Sequence, residues 1–282
     1  MRGGIGLIKI GLTTWSEHDY LLKKPKPTLA EYASKLPVVE LDTSFYAIPT
    51  QQSVLKWVLE TPPNFRFIVK AHQTMTLHKP WQDYFSSQQE AFTTLINSLQ
   101  PMIKAQRLAA ILFQFPPNFV CETQFVRYLR MIRQWMGDLP VAIEFRHDSW
   151  FLKQYLPETI ALMKQYQFTL VIVDQPKVPH SAPFYPVTTN SAFQLVRLHG
   201  RNHDGWLKKG EDWRSYRTLY DYSDRELSEL AQVVEEISSF SQDTYVIFNN
   251  NAGGDAAKNA LSLQNKLQIK YQGLNPEQIQ LF

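Results

Sequence analysis

The stretch Val141-Ala142-Ile143-Glu144-Phe145-Arg146 reads as a strand with two unlike faces. Successive side chains on a strand point to opposite sides, so Val141, Ile143 and Phe145 share one face while Glu144 and Arg146 share the other. The apolar face suits a layer of covering helices, and a polar face at a strand's end suits the mouth of a barrel. Val196-Arg197-Leu198-His199 divides the same way, with Arg197 and His199 together. Glu40 pairs with Asp42 along residues 38–44, and Lys70 with His72 opposite Val69 and Ala71. Gln114, Asp174 and Asn249 or Asn250 close three further apolar runs as single polar residues.

Working outward from that stretch, eight short runs rich in β-branched and aromatic residues occur at 7–13, 38–44, 65–71, 108–113, 141–145, 168–173, 193–198 and 245–248. Helix-like periodicity lies between them at 28–36, 51–60, 86–104, 122–136, 156–166 and 224–240, with a last segment at 255–267. Residues 174–191 hold four prolines and read as irregular. Strands that alternate with helices and show no break in composition predict an α/β fold, a single closed (β/α)8 TIM barrel formed as one domain over residues 1–282. A length of 282 residues fits, since such a barrel absorbs about 250 residues in one domain. An open doubly wound sheet is the competing architecture, but the glycine-rich first turn it uses is absent. The long connections 72–84 and 200–223 follow strands, which places them over the carboxyl-terminal mouth. Five of the seven tryptophans (Trp15, Trp81, Trp150, Trp206, Trp213) fall in strand-to-helix segments, predicting a mouth walled with aromatic rings.

Composition excludes several classes of function. Against 26 acidic residues stand 29 Lys+Arg, a net charge of +3 and far from the excess of a dedicated nucleic-acid binder. A single cysteine, Cys121, excludes an intrachain disulfide framework and a multi-cysteine zinc site. No apolar run approaches the roughly 20 residues of a membrane span, and the first twelve residues are too broken by glycine for a signal peptide, so a cytoplasmic protein is expected.

Burying this many ionisable groups is costly unless they pair or serve a ligand. Glu40, Asp42, Glu144 and Asp174 against Lys70, Arg146 and Arg197 make a mixed pocket, suited to general acid–base chemistry on a small polar substrate carrying phosphate or carboxylate. The candidate catalytic residues are Glu40, Lys70, His72, Glu144 and His199: a glutamate takes a proton, a histidine supplies one, and the cations hold the anionic group. The candidate substrate-binding residues are Trp15, Asp42, Tyr46, Gln114, Arg146, Asp174, Arg197, Asn249 and Asn250. A structural ion-pair network that caps the barrel without chemistry is the alternative, and a Schiff base at Lys70 is a further route. Asn251-Ala252-Gly253-Gly254-Asp255 before the last helix reads equally as a phosphate site and as a turn capped by Asp255. Nucleotide-loop, zinc-protease and nucleophile-elbow motifs are absent, and Gly200 between His199 and His203 argues against a metal pair, so no metal site is expected and no cofactor is named.

With these residues in view, the chain resembles the YecE-like bacterial family, domain of unknown function 72, from about residue 8 to about 267, with a tail at 268–282. The ordered motifs that carry the resemblance are Val39-Glu40-Leu41-Asp42-Thr43-Ser44-Phe45-Tyr46, Phe67-Ile68-Val69-Lys70-Ala71, Leu112-Phe113-Gln114-Phe115-Pro116-Pro117, Glu144-Phe145-Arg146-His147-Asp148-Ser149-Trp150, Val196-Arg197-Leu198-His199-Gly200, and Phe248-Asn249-Asn250 with Asn259-Ala260. The resemblance implies a TIM barrel with residues clustered at its mouth and supplies no reaction. Asp42 stands where the family usually has Asn, and Thr13-Thr14-Trp15 where it has Ser-Gly-Trp. Two other functions stay open: a nucleic-acid enzyme of the barrel endonuclease type, favoured by Lys208, Lys209, Arg214 and Arg217 interleaved with Trp206, Trp213 and Tyr216, and a metabolite-binding barrel without turnover.

Overall fold

Nine strands, every pairing parallel, form one sheet in the computed structural model, which describes residues 6–208, 210 and 213–277, without the side chains of Trp213 and Arg214. They are β1 (Leu7–Thr13), β2 (Val38–Leu41), β3 (Arg66–Lys70), β4 (Leu108–Gln114), β5 (Val141–Glu144), β6 (Thr169–Leu170), β7 (Ile172–Asp174), β8 (Phe193–Leu198) and β9 (Asp243–Phe248). The order is β6-β5-β4-β3-β2-β1-β9-β8-β7, so the first strand lies between the second and the last, as in a sheet curling round on itself. Its two edges, β6 and β7, are consecutive in the chain and separated only by Val171, whose N–H donates to the carbonyl of Ile143 at 2.9 Å. The sheet is therefore nearly closed and barrel-like. The sixth apolar run, expected as one strand, divides at Val171: its first half pairs with β5 and its second with β8.

The period of two seen in the sequence sorts the side chains. Val38, Ile68, Ala110, Leu112, Ala142, Val173, Leu195 and Ile247 pack together inside the sheet. A larger apolar cluster, which includes Val39, Val69, Phe113, Ile143 and Val196, fills the layer under the helices. Gly11 on β1 permits the close approach of β2, because a Cβ there would sit 2.2 Å from the carbonyl oxygen of Val38. Gly11→Ala is expected to destabilise the protein by about 3 kcal/mol, the upper end of ordinary overpacking, since the obstacle is backbone on a paired strand. Calorimetric melting checks it, and an unchanged midpoint would mean that β1 and β2 separate easily.

The helices fall close to their expected places, with differences at the ends. Residues 51–60 form the helix Gln51–Glu60 as read, and Asp224–Ser238 begins at a reciprocal cap between Ser223 and Glu226. The long segment 86–104 divides into Gln88–Ser98 and Gln100–Lys104, with Pro101 in the first turn of the second piece, where its missing N–H costs nothing. The 28–36 helix contracts to Leu29–Tyr32. Residues 174–191 contain no helix, as expected of their prolines. Among the described residues, no helix is long and apolar enough to cross a membrane.

Candidate functional site

A cavity of about 870 Å³ opens at the carboxyl ends of the strands. Thr14 follows β1, Asp42 follows β2, Lys70 ends β3, Gln114 ends β4, Arg146 lies just past β5, Gln175 follows β7, His199 follows β8 and Asn249 follows β9, and all eight line it. Phe45, Tyr46, Phe115 and His78 add to its wall, and Trp206, Leu207, Arg217 and Thr218 of the connection after β8 border it as well.

Beneath the cavity lies a charge network closed to water. Glu40, Glu144 and Arg197 are fully buried. The Arg197 guanidinium donates from Nε to Glu40 Oε2 at 2.8 Å and from Nη2 to Glu40 Oε1, a two-pronged pairing. Its Nη1 donates to Glu144 Oε2 at 2.5 Å and to Gln114 Oε1 at 3.1 Å. One arginine thus ties strands β2, β4, β5 and β8 together. The other oxygen of Glu144 lies 2.7 Å from Arg146 Nε, and Arg146 Nη1 donates to Gln175 Oε1 at 2.7 Å. Lys70 pairs with Asp42 at 3.0 Å and lies over the Phe45 ring. Three carboxylates therefore balance three cations, but Glu40 and Glu144 are beneath the floor while Lys70 and Arg146 reach the cavity.

These neighbours set the protonation states. Burial works against ionisation of Glu144, but the charges of Arg146 and Arg197 outweigh it and hold the carboxyl well below the usual range. Burial pushes Glu40 upward, partly offset by Arg197, and because both its oxygens accept from one guanidinium we take it as a carboxylate. Burial also opposes ionisation of Asp42, and Lys70 and Arg197 more than offset this. His199, fully enclosed, is lowered to about 3, first by burial and then by the charge of Arg146. Its Nδ1 is 2.8 Å from Asn249 Nδ2, and its Nε2 faces Glu144 Oε1 at 3.3 Å, with Arg146 Nη2 at 3.3 Å. Burial and the charge of Arg146 therefore favour the neutral ring, with both of its nitrogens in contact with neighbouring polar groups.

Of the residues singled out in the sequence, Glu40, Asp42, Tyr46, Lys70, Gln114, Glu144, Arg146, Arg197, His199 and Asn249 come together in or directly under the cavity. His72 does not line it: β3 ends at Lys70, and the His72 ring is held by Thr74 Oγ1 at 2.9 Å and the Tyr46 carbonyl at 3.2 Å. Asp174 pairs with Arg201, whose Nε is 3.0 Å from both its oxygens, and accepts from the Tyr222 hydroxyl at 2.6 Å. Asn250 is fully buried and donates to the Tyr220 carbonyl and to Asn259 Oδ1, each at 2.7 Å.

The expected aromatic wall is also redistributed. Trp15 packs edge-on against Trp57, and Trp150 is completely buried, stacked on Phe145 at 4.2 Å and donating its Nε1–H to the Phe119 carbonyl. Of the tryptophans with described side chains, Trp206 alone lines the cavity, carrying Arg146 and Arg217 near its ring at 5.5 and 5.1 Å. Lys208 lies 3.0 Å over Tyr216. Of the rings named for nucleic-acid stacking, Trp206 and Tyr216 thus have the protein's own cations beside them. Lys209 and the side chains of Trp213 and Arg214 lie outside the described residues. Two cavity residues were not singled out in the sequence: His78, which lies in a connection, and Gln175, which keeps the inward parity of Val173 one residue past β7.

A family model described as a protein of unknown function, DUF72, matches residues 9–280. The UPF0759 protein YunF of Bacillus subtilis (strain 168) is 42% identical over 98% of this chain and 100% of its own. A crystal structure of a DUF72 family protein from Enterococcus faecalis V583 is similar at 45% identity with a TM-score of 0.94, over 97% of this chain and 100% of that one. One from Thermotoga maritima MSB8 is similar at 30% identity with a TM-score of 0.79, over 93% and 100%.

Proposed function

The chain belongs to the DUF72 family, and we propose that its cavity is an active site for acid–base chemistry on a small substrate bearing a phosphate or carboxylate. The observation that carries this reading is the placing of charge about the cavity floor: Arg146 faces the cavity while the carboxylate it pairs with, Glu144, is buried below, and Lys70 and Arg217 line the same cavity against the two carboxylates Asp42 and Glu17. Such an arrangement keeps the charges paired in the protein and still presents a cationic surface to a ligand. In this reading, Lys70 and Arg146 seat the anionic group. His199 is the proton acceptor, Asn249 orients its ring, and Glu144 stabilises the imidazolium once it forms.

The low proton affinity of His199 fits a site that is switched on by its ligand. Next to burial, the charge of Arg146 holds the ring neutral. An anion on Arg146 would cancel that repulsion and raise the basicity of His199 where it is needed. The same reading takes residues 169–174 as one interrupted strand, the sheet as a closed (β/α)8 TIM barrel in a single domain, and the protein as cytoplasmic.

The test is a panel of small phosphorylated and carboxylated compounds, with their uncharged analogues, screened against the full chain by thermal shift and followed by titration calorimetry. We expect binding by anionic compounds, weakened about 10- to 100-fold in Arg146→Gln by loss of charge-assisted hydrogen bonds. Nuclear magnetic resonance titration of His199 should show its pKa raised by the bound anion. Preference for the uncharged analogues, or an unshifted His199, would refute the assignment.

A further inference from the structure

From a cluster that the proposed chemistry does not use, we infer that His147, Asp148 and His180 bind one divalent transition-metal ion of the zinc class at the rim of the cavity. His147 and Asp148 lie past the end of β5, where Asp148 opens the short helix Asp148–Phe151. His180 comes from the irregular connection after β7. Two backbone contacts hold these segments together: the Asp148 N–H donates to the His180 carbonyl at 3.1 Å, and His147 bridges Ser181 in antiparallel fashion.

The ligand set is the right kind and nearly the right size. Each of the three residues offers one ligand atom, and these atoms all lie within 4.8 Å of one another. Asp148 Oδ1 is 3.3 Å from His147 Nδ1 and 3.8 Å from His180 Nδ1. Tetrahedral zinc with bonds of about 2.0–2.1 Å spaces its ligand atoms about 3.3 Å apart. The first edge meets that spacing, and the His180 side chain, 75% exposed, is free to rotate and shorten the others. The two imidazole rings lie parallel with centroids 5.3 Å apart. Two imidazoles and one carboxylate suit zinc and its neighbours in the first transition row better than magnesium or calcium, which select all-oxygen sites.

His180 lines the cavity, so a metal held by these three ligands would present its remaining positions toward the space where a substrate sits. Arg146, the neighbour of His147 in sequence, turns its guanidinium away to Glu144 and Gln175. One local contact must give way. His147 Nδ1 accepts from the Ser149 N–H at 3.1 Å, and a metal on that nitrogen takes the same lone pair. Ser149 therefore reports on binding.

The experiment is a calorimetric titration of Zn2+ into the full chain after dialysis against a chelator, together with Co2+ absorption spectroscopy. We expect one equivalent to bind the parent protein, the visible bands of tetrahedral or five-coordinate cobalt, and a shift of the Ser149 amide resonance. In His180→Ala, which removes an exposed side chain, affinity should fall by at least about tenfold, the minimum seen when even outer-shell support of a metal is lost. Asp148→Asn should weaken binding similarly, and if that variant fails to fold, His180→Ala decides alone. No saturable binding, or binding undiminished in His180→Ala, overturns the inference. The outcome is independent of whether anionic compounds bind the cavity.

Discussion

Arg197→Met should destabilise the protein by about 3–5 kcal/mol, because the substitution leaves two fully buried carboxylates facing each other without their shared cation. That is a large share of the roughly 5–15 kcal/mol by which ordinary domains are stable. The size of the effect comes less from the lost attraction than from the stranded charges of Glu40 and Glu144. Arg197→Lys should also be costly, since one ammonium group cannot reproduce the two-pronged contact with Glu40 and the two bonds from Nη1 to Glu144 and Gln114. Combining Arg197→Met with Glu40→Gln and Glu144→Gln should recover part of the loss, because all the buried charge disappears together. Equilibrium unfolding in urea measures each step. If Arg197→Met alone stays within about 1 kcal/mol of the parent, the carboxylates are not both ionised and the network is not as drawn.

Much of this network was legible in the sequence because strand periodicity is strict. Glu144 with Arg146, and Arg197 with His199, share the face that also carries Ala142 and Leu195, and that face points inward. The same rule explains where the reading went astray. On β7 the inward residue is Val173, so Asp174 necessarily points outward, where Arg201 and Tyr222 claim it. On β9 the inward series runs through Ile247 to Asn249, which leaves Asn250 on the outside. His72 has the inward parity of Ile68 and Lys70, but it lies past the end of β3, and Thr74 and the Tyr46 carbonyl hold its ring away from the cavity. Once the structure shows that Ile247 faces inward, alternation separates Asn249 from Asn250.

Residues in the connections obey no such rule. Trp150 looked like a mouth residue because it follows a strand, yet the short helix Asp148–Phe151 folds it back into the core, where its indole N–H finds a backbone carbonyl. His78 reaches the cavity through a turn whose path depends on a distant partner, the Phe45 ring it packs against edge-on. The near-closure of the sheet is a third such case. Nothing in the composition of residues 168–173 marks Val171 as the point where pairing passes from β5 to β8, because both halves are equally apolar.

Acidification from pH 7.5 to pH 5 should destabilise the protein steeply, and His199 should account for about 2 kcal/mol of the loss at pH 5. In the unfolded chain this ring titrates near 6.5, whereas in the folded protein it is lowered to about 3 by burial and by Arg146. Between those two values the unfolded state binds a proton that the folded state does not, so stability rises with pH and is lost as pH falls. The loss begins near 6.5 and grows by about 1.4 kcal/mol per pH unit until the folded value is reached, which gives the figure at pH 5. His18 and His72, lowered mainly by burial, and His78, lowered to about 4 by burial and by Lys70, act in the same direction. Glu40 opposes them as pH approaches the carboxylate range, since burial raises its proton affinity in the folded state. Below about 4.5 Glu144 adds to the loss, because its folded carboxyl resists protonation. Urea unfolding of the parent and of His199→Gln at pH 7.5, 6 and 5 isolates the one ring, and the variant should show the shallower slope. An anion seated on Arg146 should flatten the parent's slope as well, because a ring whose pKa rises toward 6.5 no longer separates the two states. A parent slope indistinguishable from that of His199→Gln would show that this imidazole is not held neutral by the charges around it.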